Sequence, residues 1–263
     1  MNQDIKRQVA DLLYEARENA EALDRIVPRY PDMTLDDAYD VMRLNLARRE
    51  REGAVRAGYK IGATNAAIMA AMETEQPLWT RLYRDMLIEN GGVAGGAGRM
   101  VAPKIEPEIA FVMGRDLKSE TADLTPIDVL LAVAGMIPAI EVADCRVKNW
   151  EVKARDSVMD IVHASHYVLG DTLTPLCGQD LRTIGCVVEK NDALLATAAS
   201  AAVLGSPVNS LCWLANTLIL EGEHLRAGDV ILSGSLTSAF PAQPGDLFRV
   251  IFAGLGSVAV TFG

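Results

Sequence analysis

Cysteine and histidine are scarce in this sequence, and basic side chains are outnumbered by acidic ones. Its four cysteines, Cys145, Cys177, Cys186 and Cys212, form no C-x-x-C pair. That spacing argues against a structural zinc site, and a chain this long needs no disulfide framework. Lys and Arg number 25 against 35 Asp and Glu, for a formal charge of -10. Nucleic acid is therefore excluded as a partner, because phosphate contacts need clustered cations. The densest basic run, Arg48, Arg49 and Arg51, is interrupted by Glu50 and Glu52 and reads as a solvated helix face. No apolar stretch approaches the roughly 18–20 residues of a membrane span. Residues 1–6 lack the apolar core of a secretory signal, so the expected location is a reducing cytoplasm.

Half of the 263 residues are hydrophobic, enough for one large domain, or for a core with a small appendage. Ile5, Val9, Leu12, Ala16, Ala20 and Leu23 recur at helical steps and predict a helix over 4–26. Thr34, with Asp37 three residues on, caps a second helix ending near Gly53. Residues 1–55 are thus expected to be a helical appendage and 56–263 a β-rich core. Asn65 caps a short helix to Met72, residues 75–83 read as a loop, and the glycine-rich segment 91–98 reads as a flexible turn. Strands are predicted over 105–113 and 138–143. A helix opened by Thr125 and Pro126 and running to about 134 separates them, which predicts a βαβ unit. Short strands follow over 165–203, then a helix over 206–221, a strand over 230–233 and a hairpin joining 248–252 to 258–262. The fold class is α+β, richest in β toward the C-terminus, without internal repeats.

Glu106-Pro107-Glu108 is the most informative local feature. In a strand, residues i and i+2 share a face, so both carboxylates project together. Side by side they repel unless a cation or proton lies between them, and oxygen ligands suit hard cations such as Mg²⁺ or Mn²⁺. Pro107 removes a ladder donor and points to an edge or a strand start. Glu141 sits in the apolar stretch 138–143, where a buried carboxylate needs a partner. Either the three glutamates share a metal, or Glu106 and Glu108 face solvent while Glu141 pairs with Arg146 or Lys104.

Several segments, in order along nearly the whole chain, resemble the fumarylacetoacetate hydrolase superfamily, and within it the 2-keto-4-pentenoate hydratase and 4-oxalocrotonate decarboxylase branch. They are Gly58-Tyr59-Lys60-Ile61-Gly62, residues 104–111, residues 138–142, Ile231-Leu232-Ser233-Gly234-Ser235-Leu236-Thr237, Pro244-Gly245-Asp246 and Gly254-Leu255-Gly256-Ser257. The resemblance implies a β-rich, mixed-sheet core of the fumarylacetoacetate hydrolase C-terminal-domain type. It also implies Mg²⁺ or Mn²⁺ on Glu106, Glu108 and Glu141, an active-site Lys60, and a homo-oligomer, alone or with a paralogous decarboxylase or hydratase subunit. Ser233, Ser235, Thr237 and Arg146 are the candidate substrate binders. The expected substrate is a small 2-oxo acid or 2-hydroxydienoate from aromatic ring-cleavage catabolism.

The sequence departs from that pattern in two segments. Hydratases of the branch carry an Asp just after the proline of the segment that here reads Glu75-Gln76-Pro77-Leu78. An apolar residue there resembles the decarboxylases. Where the family commonly has Asp-Asn-Ala-Ser, this chain has Asp160-Ile161-Val162-His163. Glu75 and His163 are therefore candidate proton-transfer residues beside Lys60. The leading expectation is a lyase that hydrates a 2-hydroxy-2,4-dienoate to a 4-hydroxy-2-oxo acid. The alternatives are a decarboxylase of a 2-oxo-enedioate and a non-catalytic 2-oxo-acid-binding homologue. A C–C hydrolase is disfavoured because such members resemble one another in using an early His, whereas the first His here is His163.

Overall fold

The computed structural model describes residues 1–95 and 100–263. In chain order, helices α1 (Gln3–Glu18) and α2 (Leu35–Arg51) are followed by strand β1 (Arg56–Gly62), helix α3 (Ala66–Met72), β2 (Leu78–Tyr83), β3 (Leu87–Ile88) and β4 (Val93–Ala94). Next come β5 (Lys104–Met113), α4 (Pro126–Leu130), β6 (Val133–Ala143), α5 (Ala154–Met159) and β7 (Ala164–Leu169). The chain ends with β8 (Gly185–Lys190), β9 (Ala193–Ala199), α6 (Pro207–Leu220), β10 (Val230–Leu232), β11 (Phe240–Pro241), β12 (Leu247–Phe252) and β13 (Gly256–Phe262). Among the described residues, no helix is long and apolar enough to cross a membrane.

Two mixed sheets form the body. One runs β2-β1-β10-β5-β6-β7-β3, with β11 also paired to β5; the other runs β4-β13-β12-β8-β9. The expected C-terminal hairpin is β12–β13, with Phe248 opposite Val260 and Val250 opposite Val258. Its alternation is regular. Phe248, Val250, Phe252, Val258, Val260 and Phe262 are buried, while Arg249 and Ile251 face out. Burying each of these large apolar side chains contributes roughly 1.5–3 kcal/mol.

The N-terminal helices join the same core: Val9 and Leu13 of α1 and Val41 and Met42 of α2 cluster with the buried residues of β5 and β6. Thr34 accepts from the Asp37 amide and Asp37 returns the bond to the Thr34 amide, closing the capping box. Tyr39 of α2 stacks on Trp79 of β2 at 5.8 Å between ring centroids.

Four local expectations are corrected. Helix α1 stops at Glu18 rather than near 26. Ala20 takes φ 50°, and Leu23 instead pairs with Val147 as extended chain. Residues 78–83 are a strand, not a loop. All but Arg81 in β2 are buried, so no polar alternation marks it. The glycine-rich segment contains the short strand β4, and Gly96–Gly98 of it lie outside the described residues. Strands β5 and β6 pair antiparallel rather than as a βαβ unit. The five-residue α4 between them is too short for a parallel crossover.

Pro107 is likewise not at a sheet edge. Strand β5 is central, but β10 pairs with it over 110–112 and β11 over 104–105, leaving a gap between. The Pro107 carbonyl accepts from Leu236 on that side. Its nitrogen points the same way, into the gap, where no ladder donor is required.

Candidate active site and metal centre

The antiparallel register of β5 and β6 sets Glu106 directly opposite Glu141, and Glu108 lies two residues along the same face. The carboxylates of all three come within 4.8 Å of one another. Glu108 and Glu141 are fully buried, while Glu106 is half-buried and opens into a cavity of about 400 Å³. Burial, then Glu141, holds Glu106 above the ordinary carboxylate range. Burial, Glu141 and Glu106 push Glu108 well above it.

Lys60 is the counter-charge. Its Nζ lies 2.9 Å from Glu141 Oε1 and donates to the Val162 carbonyl at 2.8 Å. A flat sheet would hold β1 and β6 roughly 14 Å apart, at about 4.8 Å per strand step, beyond the reach of a lysine stem. The sheet curls, and the curl brings Lys60 onto Glu141. Burial opposes the charge on Lys60, but Glu141, Glu106 and Glu108 outweigh it and raise its pKa.

Strand β10 ends at Leu232, and the chain then turns over the cluster. The Gly234 amide donates to Glu108 Oε2 at 2.6 Å. Only glycine fits here: φ is +109°, and a Cβ would lie 2.3 Å from Thr64 Oγ1.

One lysine faces three carboxyl groups, so holding all three ionised would leave two charges uncompensated. Glu108 Oε1 and Glu141 Oε2 are buried and accept no hydrogen bond among the described residues. A divalent cation satisfies both the charge and the idle oxygens, so the donor set fits one. Cys145, Asp160 and His163 also converge within 4.8 Å. There, however, both Asp160 oxygens are already engaged by Arg146 and His163. The expected pairing of Glu141 with Arg146 or Lys104 is not found.

His163 lines the cavity, with Nδ1 3.2 Å from Asp160 Oδ2 and a buried Nε2 that has no hydrogen-bond partner. Burial works against charge on its ring, but Cys145 and Asp160 outweigh it and raise its pKa to about 9. Ile161, Val162 and His163 all take positive φ, of 46°, 49° and 60°. For β-branched residues this costs on the order of 1–3 kcal/mol each, and it aims the Val162 carbonyl at Lys60. Trp150, itself at φ 58°, packs edge-on to His163 at 5.0 Å, with Lys104 Nζ 4.1 Å from its ring centroid.

Ser235 and Thr237 line the cavity, as does Leu78. Ser233 is buried behind the wall, with its Oγ unpartnered. Two predicted site residues lie elsewhere. Glu75 is exposed and does not line the cavity. Arg146 is buried, donates from Nε to Asp160 Oδ1 at 2.6 Å, and lines a different cavity. Sequence reasoning missed Asp160 as the partner of His163, although their three-residue spacing was visible. It also missed the carbonyl of Val162, which no side-chain pattern reveals.

Residues 61–262 match the fumarylacetoacetate (FAA) hydrolase C-terminal family. The chain belongs to that family. Among curated members, it is 38% identical to the "TodF product hydratase" of Pseudomonas putida, over 97% of this chain and 94% of that one. It is 35% identical to the "2-keto-4-pentenoate hydratase" of Paraburkholderia xenovorans, over 98% and 94%. A solved family structure, 4-oxalocrotonate decarboxylase from Pseudomonas putida G7 complexed with magnesium and adipate, superposes with a TM-score of 0.94. It is 35% identical and covers 100% of this chain and 99% of that one. The branch read from the sequence motifs is thus the branch these relatives occupy.

Proposed function

We propose that this protein is a divalent-metal-dependent lyase that hydrates a small 2-hydroxy-2,4-dienoate to a 4-hydroxy-2-oxo acid. The observation that carries the reading is the triad Glu106, Glu108 and Glu141, three carboxyl groups facing the single Lys60, with idle buried oxygens beside a largely apolar cavity into which Glu106 opens. Relatives named as hydratases at 35% and 38% identity over nearly the full chain support it.

The three glutamates would hold Mg²⁺ or Mn²⁺, whose chemistry is Lewis-acid binding of the substrate carboxylate and stabilisation of negative charge on its 2-oxygen. Lys60, fixed by Glu141 and the Val162 carbonyl, keeps a positive charge beside that oxygen. Ser235 and Thr237 offer hydroxyls to the substrate from the cavity wall. His163, held by Asp160 through Nδ1 and with Nε2 unpartnered, would deliver a proton to the far end of the diene. The apolar side chains of Leu78, Ile68 and Met72 line the cavity and enclose the hydrocarbon tail.

The test is incubation of the metal-loaded protein with 2-hydroxypenta-2,4-dienoate, with products read by NMR. 4-Hydroxy-2-oxopentanoate should form faster than in a chelator control.

One observation favours a second reading. Leu78 lines the cavity in the segment where the hydratases resembled here carry an Asp, so the wall lacks that carboxylate. A decarboxylase of a 2-oxo-enedioate needs no base to activate water. Stoichiometric CO₂ release from such a substrate, without hydration of the dienoate, selects this reading. Exposed Ile127 and Leu131, 68% and 70% accessible, support self-association into a homo-oligomer.

A further inference from the structure

A second cavity, of about 560 Å³, lies between α1, α2 and the start of β7. Four arginines (Arg17, Arg49, Arg84 and Arg146) and His166 line it, beside the carboxylates Glu18, Glu52, Asp85 and Asp144. We propose that this cavity is a binding site for a small oxyanion, carboxylate or phosphate, separate from the catalytic cavity.

The argument rests on which charges are already matched. On the acidic side, Asp144 accepts from the Val101 and Ala102 amides and lies 3.5 Å from Arg146 Nη1, Glu52 accepts from the Tyr14 hydroxyl, and Glu18, which also lines the cavity, is likewise engaged. Asp85 accepts from Arg49 Nη2 at 2.6 Å. On the basic side, donors remain. Arg49 Nη1 is buried with no hydrogen-bond partner among the described residues. Arg17 donates from Nη1 to the Ala164 carbonyl and forms no ion pair with a described carboxylate. Burial first, and then the neighbouring Arg146 and Arg49, lowers its pKa to about 9 against the opposing pull of Asp160 and Glu18. An arginine fork presents paired N–H groups that match a carboxylate or phosphate edge. Arg146 is already matched by Asp160 and Asp144, so an anion would sit between Arg17 and Arg49, meeting the guanidinium without a carboxylate partner and the idle Nη1.

The two cavities are separate but share a wall. Arg146 lines the second one while its Nε holds Asp160, and Asp160 in turn holds His163 in the first.

The test is isothermal titration of the metal-loaded protein with inorganic phosphate and, separately, with succinate. It is repeated on Arg17→Gln/Arg49→Gln and on Glu141→Gln. Binding in the native protein and in Glu141→Gln, weakened at least about tenfold in the arginine double variant, supports the site. Arg17→Lys/Arg49→Lys keeps the charge and should retain part of the affinity, which separates lost contacts from lost folding. Preference for phosphate points to phosphorylated ligands, and preference for succinate to carboxylic acids. Binding of equal strength in the Gln double variant, binding lost in Glu141→Gln, or no binding of either anion by the native protein overturns the proposal.

Discussion

Replacing Lys60 with Met tests the charge balance of the glutamate cluster. The substitution keeps most of the side-chain volume and deletes the one cation held 2.9 Å from the fully buried Glu141. Leaving a buried charge without its partner costs about 3–5 kcal/mol. At a few degrees per kcal/mol for a chain of this size, the metal-free variant should melt on the order of 10 °C below the metal-free parent. A divalent ion at about 100 times its Kd adds about 2.7 kcal/mol to the parent. It should add more to Lys60→Met, because the ion then supplies positive charge that nothing else in the cluster provides. The assay is thermal unfolding of both proteins by circular dichroism, in chelator and in excess Mg²⁺. Equal melting temperatures in chelator, or an equal gain from metal, would refute the reasoning that Lys60 and the ion balance the same carboxylates.

The same cluster sets a pH dependence. Glu106 and Glu108 have folded pKa values above the ordinary 4.5. At these two groups the native metal-free protein binds more protons than the unfolded chain. That stabilisation is complete below about 4.5 and is lost as pH rises through the raised values. Metal-free melting temperature should fall across this window, metal affinity should rise across it, and a metal-free curve that climbs instead would contradict the sign. His163→Gln should lower kcat by roughly 10²–10⁴-fold while metal affinity, measured by titration, stays within a few-fold. Gly234→Ala puts a Cβ 2.3 Å from Thr64 Oγ1 at φ +109°, so turnover and metal affinity should both drop; an unaffected variant would mean the turn does not position Glu108. Ile127→Glu/Leu131→Glu should reduce the mass measured by light scattering if α4 lies in a self-association interface, and an unchanged mass would exclude that face.

Patterns spanning a few residues determined much of this protein before any tertiary contact was known. Thr34 with Asp37, Asn65, and Thr125 with Pro126 start the helices they were expected to start, because a cap is satisfied within three residues of itself. The Phe248–Phe262 hairpin was legible for the same reason, since alternation and a glycine turn act locally. Glu106 and Glu108 were legible as a pair because a strand repeats every two residues. Strand β2 was not, since burial on both faces erases the alternation that would announce it. What only the tertiary structure decided is the company those groups keep. Register placed Glu141 against Glu106, sheet curl carried Lys60 across to it, and the left-handed turn at 161–163 aimed a backbone carbonyl at Lys60. Arg146, a candidate substrate binder by position, turned inward to hold Asp160, and Glu75 was left in solvent. Local spacing fixes which face a side chain occupies along its own element. Which other element meets that face depends on long-range packing and on charge balance in a buried place, and no short window of sequence contains either.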